Sequence, residues 1–378
     1  MKCIDEVPAS ELKGKRVLVR ASLDLPVDSK GEVSDVFRLK QALPTLNHLS
    51  KAGSKVIILT KIGRDPGETN APVAKALKQF IPVTYVPALS GHMVDSAIAA
   101  MQDGDFILLE NLQTNPGEIA NDPQFAKEIA SLGDMYVNDC FISAHRTSAG
   151  MVGVPKLLPS YAGIQFRDEV RELSSALHPA SPSLAIIGGA KFETKDPVIR
   201  SFLNLYDHVF VVGAIANDVL KAKGFPVGVS KVSEHAPEQE VVSNPRLVML
   251  SDVTVERPDK QARVKKPEEV AADEKIVDIG PDSVQRVAPL IEQASFITWN
   301  GPTGLYEEGY IQYTHAIAEL ISHAVAHGAR SVIGGGDTIA AIEESGIDES
   351  KLGFLSTGGG AMLEFLLQGT LPGIEALG

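Results

Sequence analysis

The sequence predicts an α/β fold, two parallel-sheet domains joined by a helix with a cleft between them, and three observations carry that prediction. The chain has 378 residues, enough for two cores at about 150 residues per domain. Short β-branched runs without polar alternation recur through both halves, each followed by a longer stretch with helical spacing. Near the middle, a helix-patterned segment dissolves into Pro, Ser and Ala, the composition of a boundary.

In order along the first half, "RVLVRA" (16–21), "KVIILT" (55–60), "FILLEN" (106–111) and "MYVND" (135–139) read as strands. "YAGIQFRDEVRELSSALHPASPS" (161–183) carries Ile164, Val170, Leu173 and Leu177 near helical spacing and reads as the linking helix. The second half repeats the strand pattern in "SLAIIGGA" (183–190), "HVFVVG" (208–213), "RLVML" (246–250), "SFITWN" (295–300) and "SVIGGG" (331–336). Strands separated by helices indicate parallel sheets covered on both faces, and ligands of such sheets sit beyond the carboxyl ends of the strands.

Composition narrows the function. Hydrophobic residues make up 44% and charged residues 22%, a globular balance, and no apolar run is long enough to cross a bilayer. The opening "MKCIDEVPASELKGKR" lacks the apolar core of a secretory signal, which predicts a cytoplasmic protein. Cys3 and Cys140 are the only cysteines, too few for a disulfide framework or a thiolate zinc cage. With 35 basic against 48 acidic residues, net −13, the chain is unsuited to general nucleic-acid binding, and any anionic ligand needs a local positive cluster.

The loops after the second-half strands are small or glycine-rich: "GGAK" (188–191), "VGAIAND", "WNGPTG" (299–304), "GGGDT" (334–338) and "STGGGA" (356–361). Glycine permits close backbone approach, so N–H groups can point at phosphate oxygens beside a helix N-terminus. Their concentration in one half suggests a nucleotide site, although neither G-x-x-x-x-G-K-[ST] nor G-x-G-x-x-G occurs. Asp337 can hold Mg²⁺ on a polyphosphate or cap the following helix, and the stretch alone does not separate the two. Lys191 and Lys195, four apart after a strand, suit phosphate contact, with solvated lysines as the plainer alternative.

In the first half Arg20, Arg38, Lys61, Arg64 and Arg146 lie at or just past strand ends. Converging guanidinium groups suit a carboxylate or phosphate, although each residue alone is an ordinary surface charge. His145 beside Arg146 has no companion for a nucleophilic triad. Phosphoryl transfer needs positioning and charge neutralisation rather than a protein nucleophile.

Over essentially its whole length the chain resembles the phosphoglycerate kinase family, through "KRVLVRASLDLPV", "ILTKIGR", "ILLENL", "YVNDCFISAHR", "LPSYAG", "LAIIGGAKFETK", "DIGPDS", "WNGPTGLYEEG", "SVIGGGDT" and "STGGGAMLEFLLQGTLPGIEAL" in that order. The resemblance implies two Rossmann-like domains: an acceptor domain (1–160), a linking helix (161–178), a nucleotide domain (179–362) and a tail (363–378) returning to the first domain. It implies a monomer that uses ATP/ADP and Mg²⁺ and takes 3-phosphoglycerate as its small-molecule partner. It further implies that Lys195 and Asn300 meet nucleotide phosphates, Lys191 stabilises the group in transfer, and Glu307 holds the ribose. Asp337 would organise Mg²⁺ within the loop of Gly335, Gly336 and Thr338, with Gly358 and Gly359 helping to bind charge in transfer. Arg38, Arg64 and Arg146 would bind the acceptor, Arg38 acting also in catalysis with Lys191, Gly336 and Gly359.

The acceptor side departs from the family's R-x-D-x-N-x-P. Here the stretch is "RASLDLP", with Ser22 for the aspartate, Asp24 for the asparagine, Lys61 for a histidine and Gln113 for an arginine. The family's one Asp and four Arg give about +3, and Asp24 with Arg38, Lys61, Arg64 and Arg146 again gives about +3. A rearranged site of conserved charge predicts a small anionic acceptor bound more weakly or shifted in identity, with Asp24 available to a C2 hydroxyl. The rivals are a related carboxylate kinase with another anionic acceptor and a non-catalytic nucleotide-binding homologue.

Overall fold

The computed structural model describes residues 1–378 except 64 and 66. Two compact units emerge, one made of Met1–Arg171 with Thr370–Gly378 and the other of Glu172–Gly369.

The first unit is built on β1 (Arg16–Ala21), β2 (Lys55–Leu59), β3 (Val83–Tyr85), β4 (Phe106–Leu108), β5 (Met135–Asp139) and β6 (Ser160–Ala162). They form one parallel sheet in the order β3-β4-β2-β1-β5-β6. Val17, Leu18, Val19 and Ala21 of β1 are all fully buried, as helices covering both faces require of an unalternating strand. Cys3 and Cys140 are buried free thiols. The helix Ile164–Ala176 begins against the end of β5, where Asp139 Oδ1 accepts the Phe166 N–H at 3.1 Å and Thr45 Oγ1 accepts the Ile164 N–H at 2.8 Å. Asp139 is fully buried and its Oδ2 has no hydrogen-bond partner, and burial lifts its carboxyl to about 7. The segment from Thr370 closes this unit: Gly373 N donates to Ala144 O at 2.8 Å and Leu371 is fully buried.

The second unit opens with β7 (Ser183–Ile187), β8 (His208–Val211) and β9 (Leu247–Val248). It continues through β10 (Val253–Glu256), β11 (Ala262–Lys265) and β12 (Lys275–Ile279), then β13 (Phe296–Asn300), β14 (Arg330–Gly334) and β15 (Phe354–Ser356). Six of these pair in parallel in the order β15-β14-β13-β7-β8-β9. The other three form an antiparallel sheet, β11-β10-β12, which the sequence pattern did not announce. Its edge strand β11, "ARVK", is almost wholly exposed, so it carries no hydrophobic periodicity to read. Among the described residues no helix is long and apolar enough to cross a membrane.

Candidate active site

In the first unit the loops after β1 and β2 are tied together by side chains that the sequence singled out. Asp24 is the centre of the tie. Its Oδ2 pairs with the Lys61 ammonium, its Oδ1 accepts the Gly63 N–H at 2.9 Å, and its main-chain oxygen accepts from Arg38 Nη1 at 2.6 Å. Arg38 stands at the second position of the helix Phe37–Lys51, whose start is fixed by Asp35 Oδ1 accepting the Phe37 N–H at 2.6 Å. Asp24 was expected to meet a substrate hydroxyl; each of its carboxylate oxygens already serves the protein.

Gln113 is drawn to the same place by Asn111, a residue to which the sequence reading gave no role. Fully buried Asn111 donates Nδ2 to Ile62 O at 3.0 Å, and its Oδ1 accepts the N–H groups of Ile62 at 3.3 Å and Gln113 at 3.1 Å. An asparagine at the end of an apolar strand run, able to bond backbone on both sides, was the available signal. Ser22 is buried with its hydroxyl unpartnered. Arg20 is buried too: Nη2 lies 4.0 Å from Glu118 Oε1, while Nε and Nη1 have no partner. Arg146 is exposed just past the short helix Phe141–Ser143, and Arg64 lies outside the described residues.

In the second unit the glycine loops meet backbone to backbone. Gly188 N donates to Asn300 O at 2.7 Å, and a Cβ on Gly188 would stand 2.6 Å from Pro302 O and 2.8 Å from Gly301 O. That contact explains glycine at the carboxyl end of β7. Gly335, at φ +103°, precedes the helix Gly336–Glu343, and Gly358 precedes the helix Gly359–Gln368. The two helices start side by side, since a Cβ on Gly359 would lie 3.6 Å from Gly335 Cα. Gly335, Gly336 and Gly359, exposed or half-buried, put N–H groups and two positive dipole ends at one spot, an anion cradle, whereas Gly358, expected to help bind the charge in transfer, is buried and donates its N–H to Ser356 Oγ at 3.2 Å.

The polar residues around this cradle form a connected set. Lys195 donates Nζ to Asn300 Oδ1 at 2.5 Å, and Asn300 is 3% exposed. Burial pulls the Lys195 ammonium down to about 8, against the upward pull of the Asp337 carboxylate. Asp337 is exposed on the first turn of its helix and accepts from Tyr306 Oη at 3.4 Å. Thr338 is fully buried, its Oγ1 accepting the Gly301 N–H at 2.7 Å, so it braces the loop. Lys191 and Glu307 are both exposed. One carboxylate beside a phosphate cradle fits Mg²⁺, which takes one or two carboxylates and completes its shell with phosphate oxygens and water.

A cavity of about 250 Å³ opens in the same unit, lined among others by Gly213, Ala214, Asn217, Asp278, Gly304 and Leu305. At this cavity Glu308, rather than Glu307, contributes to the wall, paired with Lys275 at 2.9 Å. Asp278 is 4% exposed, and burial lifts its carboxyl to about 7.

The family model described as phosphoglycerate kinase matches residues 5–369. A phosphoglycerate kinase of Chlorobaculum tepidum is 39% identical, with 97% of each chain covered, and one of Chloroflexus aggregans is 37% identical, with 96% of each covered. Among solved structures, phosphoglycerate kinase of Coxiella burnetii aligns with a TM-score of 0.81 at 33% identity, covering 99% of this chain and 98% of that one. The enzyme of Pyrococcus horikoshii aligns with a TM-score of 0.88 at 27% identity, covering 100% and 98%.

Proposed function

The chain belongs to the phosphoglycerate kinase family and is a phosphotransferase, and from that premise we propose how its residues divide the reaction. The reaction is reversible: the γ-phosphoryl of MgATP passes to a carboxylate oxygen of 3-phosphoglycerate, giving 1,3-bisphosphoglycerate and MgADP. The observation that carries the nucleotide half is the paired helix start at Gly336 and Gly359, with Lys195 and Asn300 bonded beside it.

Phosphate oxygens sit on the N–H groups of Gly335, Gly336 and Gly359 and draw the Lys195 ammonium toward themselves. Lys191, exposed at the neighbouring loop, reaches the group in transfer. Asp337 holds Mg²⁺, which when bound neutralises charge on the terminal phosphates. Thr338 acts through Gly301, keeping the loop after β13 against the cradle. The cavity beside Gly213 and Leu305 takes the base, and Glu307 and Glu308 stand near the ribose.

On the acceptor side Arg38, Arg64 and Arg146 bind carboxylate and phosphate, with Ser22 and Gln113 offering neutral hydrogen bonds. Where a guanidinium fork is replaced by an amide, the lost charge-assisted bond costs about 1.5 to 3 kcal/mol, so the acceptor is held less tightly. Transfer requires the two bound substrates to be brought in line with water excluded. We further infer a cytoplasmic monomer, on the strength of the family resemblance.

The test is steady-state turnover of the purified protein with MgATP and 3-phosphoglycerate, with Asp337→Ala and Gln113→Arg beside it. Turnover lost in Asp337→Ala, with a lowered KM for 3-phosphoglycerate in Gln113→Arg, supports this division. Silence with 3-phosphoglycerate, alongside nucleotide binding by calorimetry, refutes the acceptor assignment.

A further inference from the structure

We propose that Asp24 and Lys61 are a coupled positioning pair, which fixes the acceptor loops from within rather than binding the acceptor. The inference rests on the acceptor reading above and assigns these two residues a different task within it. Three separate segments converge on Asp24: the Lys61 ammonium and the Gly63 N–H on its two carboxylate oxygens, and Arg38 Nη1 on its main-chain oxygen. The pair is not a loose surface contact, because the two side chains are only 24% and 23% exposed. Isolated surface pairs contribute little, whereas a pair reinforced by a backbone donor and an arginine acts as a network.

Geometry gives the pair its consequence. Lys61 and Gly63 belong to the loop after β2 and Arg38 opens its own helix, so Asp24 ties that loop to the helix that carries an arginine assigned to the acceptor. Lys61, its charge facing Asp24, is not the replacement for the arginine missing at position 113. It is the counter-ion that lets an aspartate stand beside an anion site. Two of the four departures on the acceptor side, Asp24 and Lys61, thereby explain each other.

Charge counting and positioning predict opposite signs for one substitution, which makes the inference testable. Asp24→Asn adds a unit of positive charge to the site, and by charge alone 3-phosphoglycerate would bind more tightly. If Asp24 positions the loops, the same substitution removes the charge that holds Lys61 and slackens the loop after β2, and KM for 3-phosphoglycerate rises by about fivefold or more while KM for MgATP stays within about twofold. Lys61→Met leaves a bare carboxylate facing the anion and raises that KM by about tenfold or more, and the double variant is better than the product of the singles by at least about fivefold. Lys61→Arg, which keeps the pair, stays within about threefold of the parent. Thermal midpoints verify that each variant is folded.

A second measurement reads the pair without turnover. Acylation of Lys61 by an amine-reactive ester, which needs the uncharged amine that a facing carboxylate disfavours, is expected, by peptide mass, to run at least about threefold faster in Asp24→Asn than in the parent. A lowered KM in Asp24→Asn, multiplicative singles or equal acylation rates each overturn the inference. A parent silent on 3-phosphoglycerate but protected at Lys61 overturns the proposed acceptor and leaves the pair standing.

Discussion

Nucleotide binding above neutral pH should take up a proton, and Lys195 is the reason. Burial lowers its ammonium from 10.5 to about 8, a drop equivalent to roughly 3 kcal/mol, so charge at this position is costly until a phosphate arrives. Phosphate oxygens in the cradle beside Asn300 supply the missing partner and return the lysine toward its ordinary value. Only the protonated form then binds well, and the apparent dissociation constant should grow as roughly 1 + 10^(pH − 8), about tenfold at pH 9. Calorimetry of MgADP binding at pH 9, in two buffers of different ionisation enthalpy, should give close to one proton taken up per nucleotide. In Lys195→Arg, whose guanidinium stays charged, both the uptake and the pH dependence should disappear. Constant affinity from pH 7 to 9.5 with no proton uptake in the parent would refute the reasoning.

Two further outcomes follow from the same geometry. Folded Asp139 keeps its proton up to about 7, whereas the unfolded side chain releases it near 4, so this group's share of stability falls as pH rises between those values. Asp139→Asn should therefore be more stable than the parent at pH 8, by up to roughly 4 kcal/mol, and lose that advantage by pH 4, as read by urea unfolding at both values. Gly188→Ala forces a methyl against two backbone oxygens and should cost about 1–3 kcal/mol of stability while raising KM for MgATP, whereas an unchanged KM would mean that the loop after β13 does not shape the nucleotide site.

Most of the frame was legible because buried parallel strands must be apolar on both faces, as the run from Val17 to Val19 is. The glycine loops of the second unit were legible for a related reason: Gly188 and Gly335 are demanded by a backbone contact and by a positive φ, and no other residue serves. What escaped reading depends on contacts between distant segments. Nothing near Asp24 in sequence announces that its partners are Lys61 and Gly63, and the charge count was the same with or without the pairing. Thr338 was placed in the nucleotide loop with Asp337, and its hydroxyl oxygen faces Gly301, 37 positions away. The β10–β12 sheet escaped because one strand is solvated, and Asp139 escaped because its burial comes from the helix Ile164–Ala176 that it caps.

The chain order of the two units has a consequence for synthesis. Residues 172–369 interrupt the first unit, whose last piece, Thr370–Gly378, emerges from the ribosome after them. The second unit is continuous and can complete itself as it is made. The first must wait with the seat of Leu371 open and the Ala144 carbonyl lacking its Gly373 donor. At about 5–20 residues per second, roughly two hundred intervening residues impose a delay of about ten to forty seconds. For that interval the half of the protein made first is the half still unfinished, and its uncovered apolar surface is what a chaperone would meet.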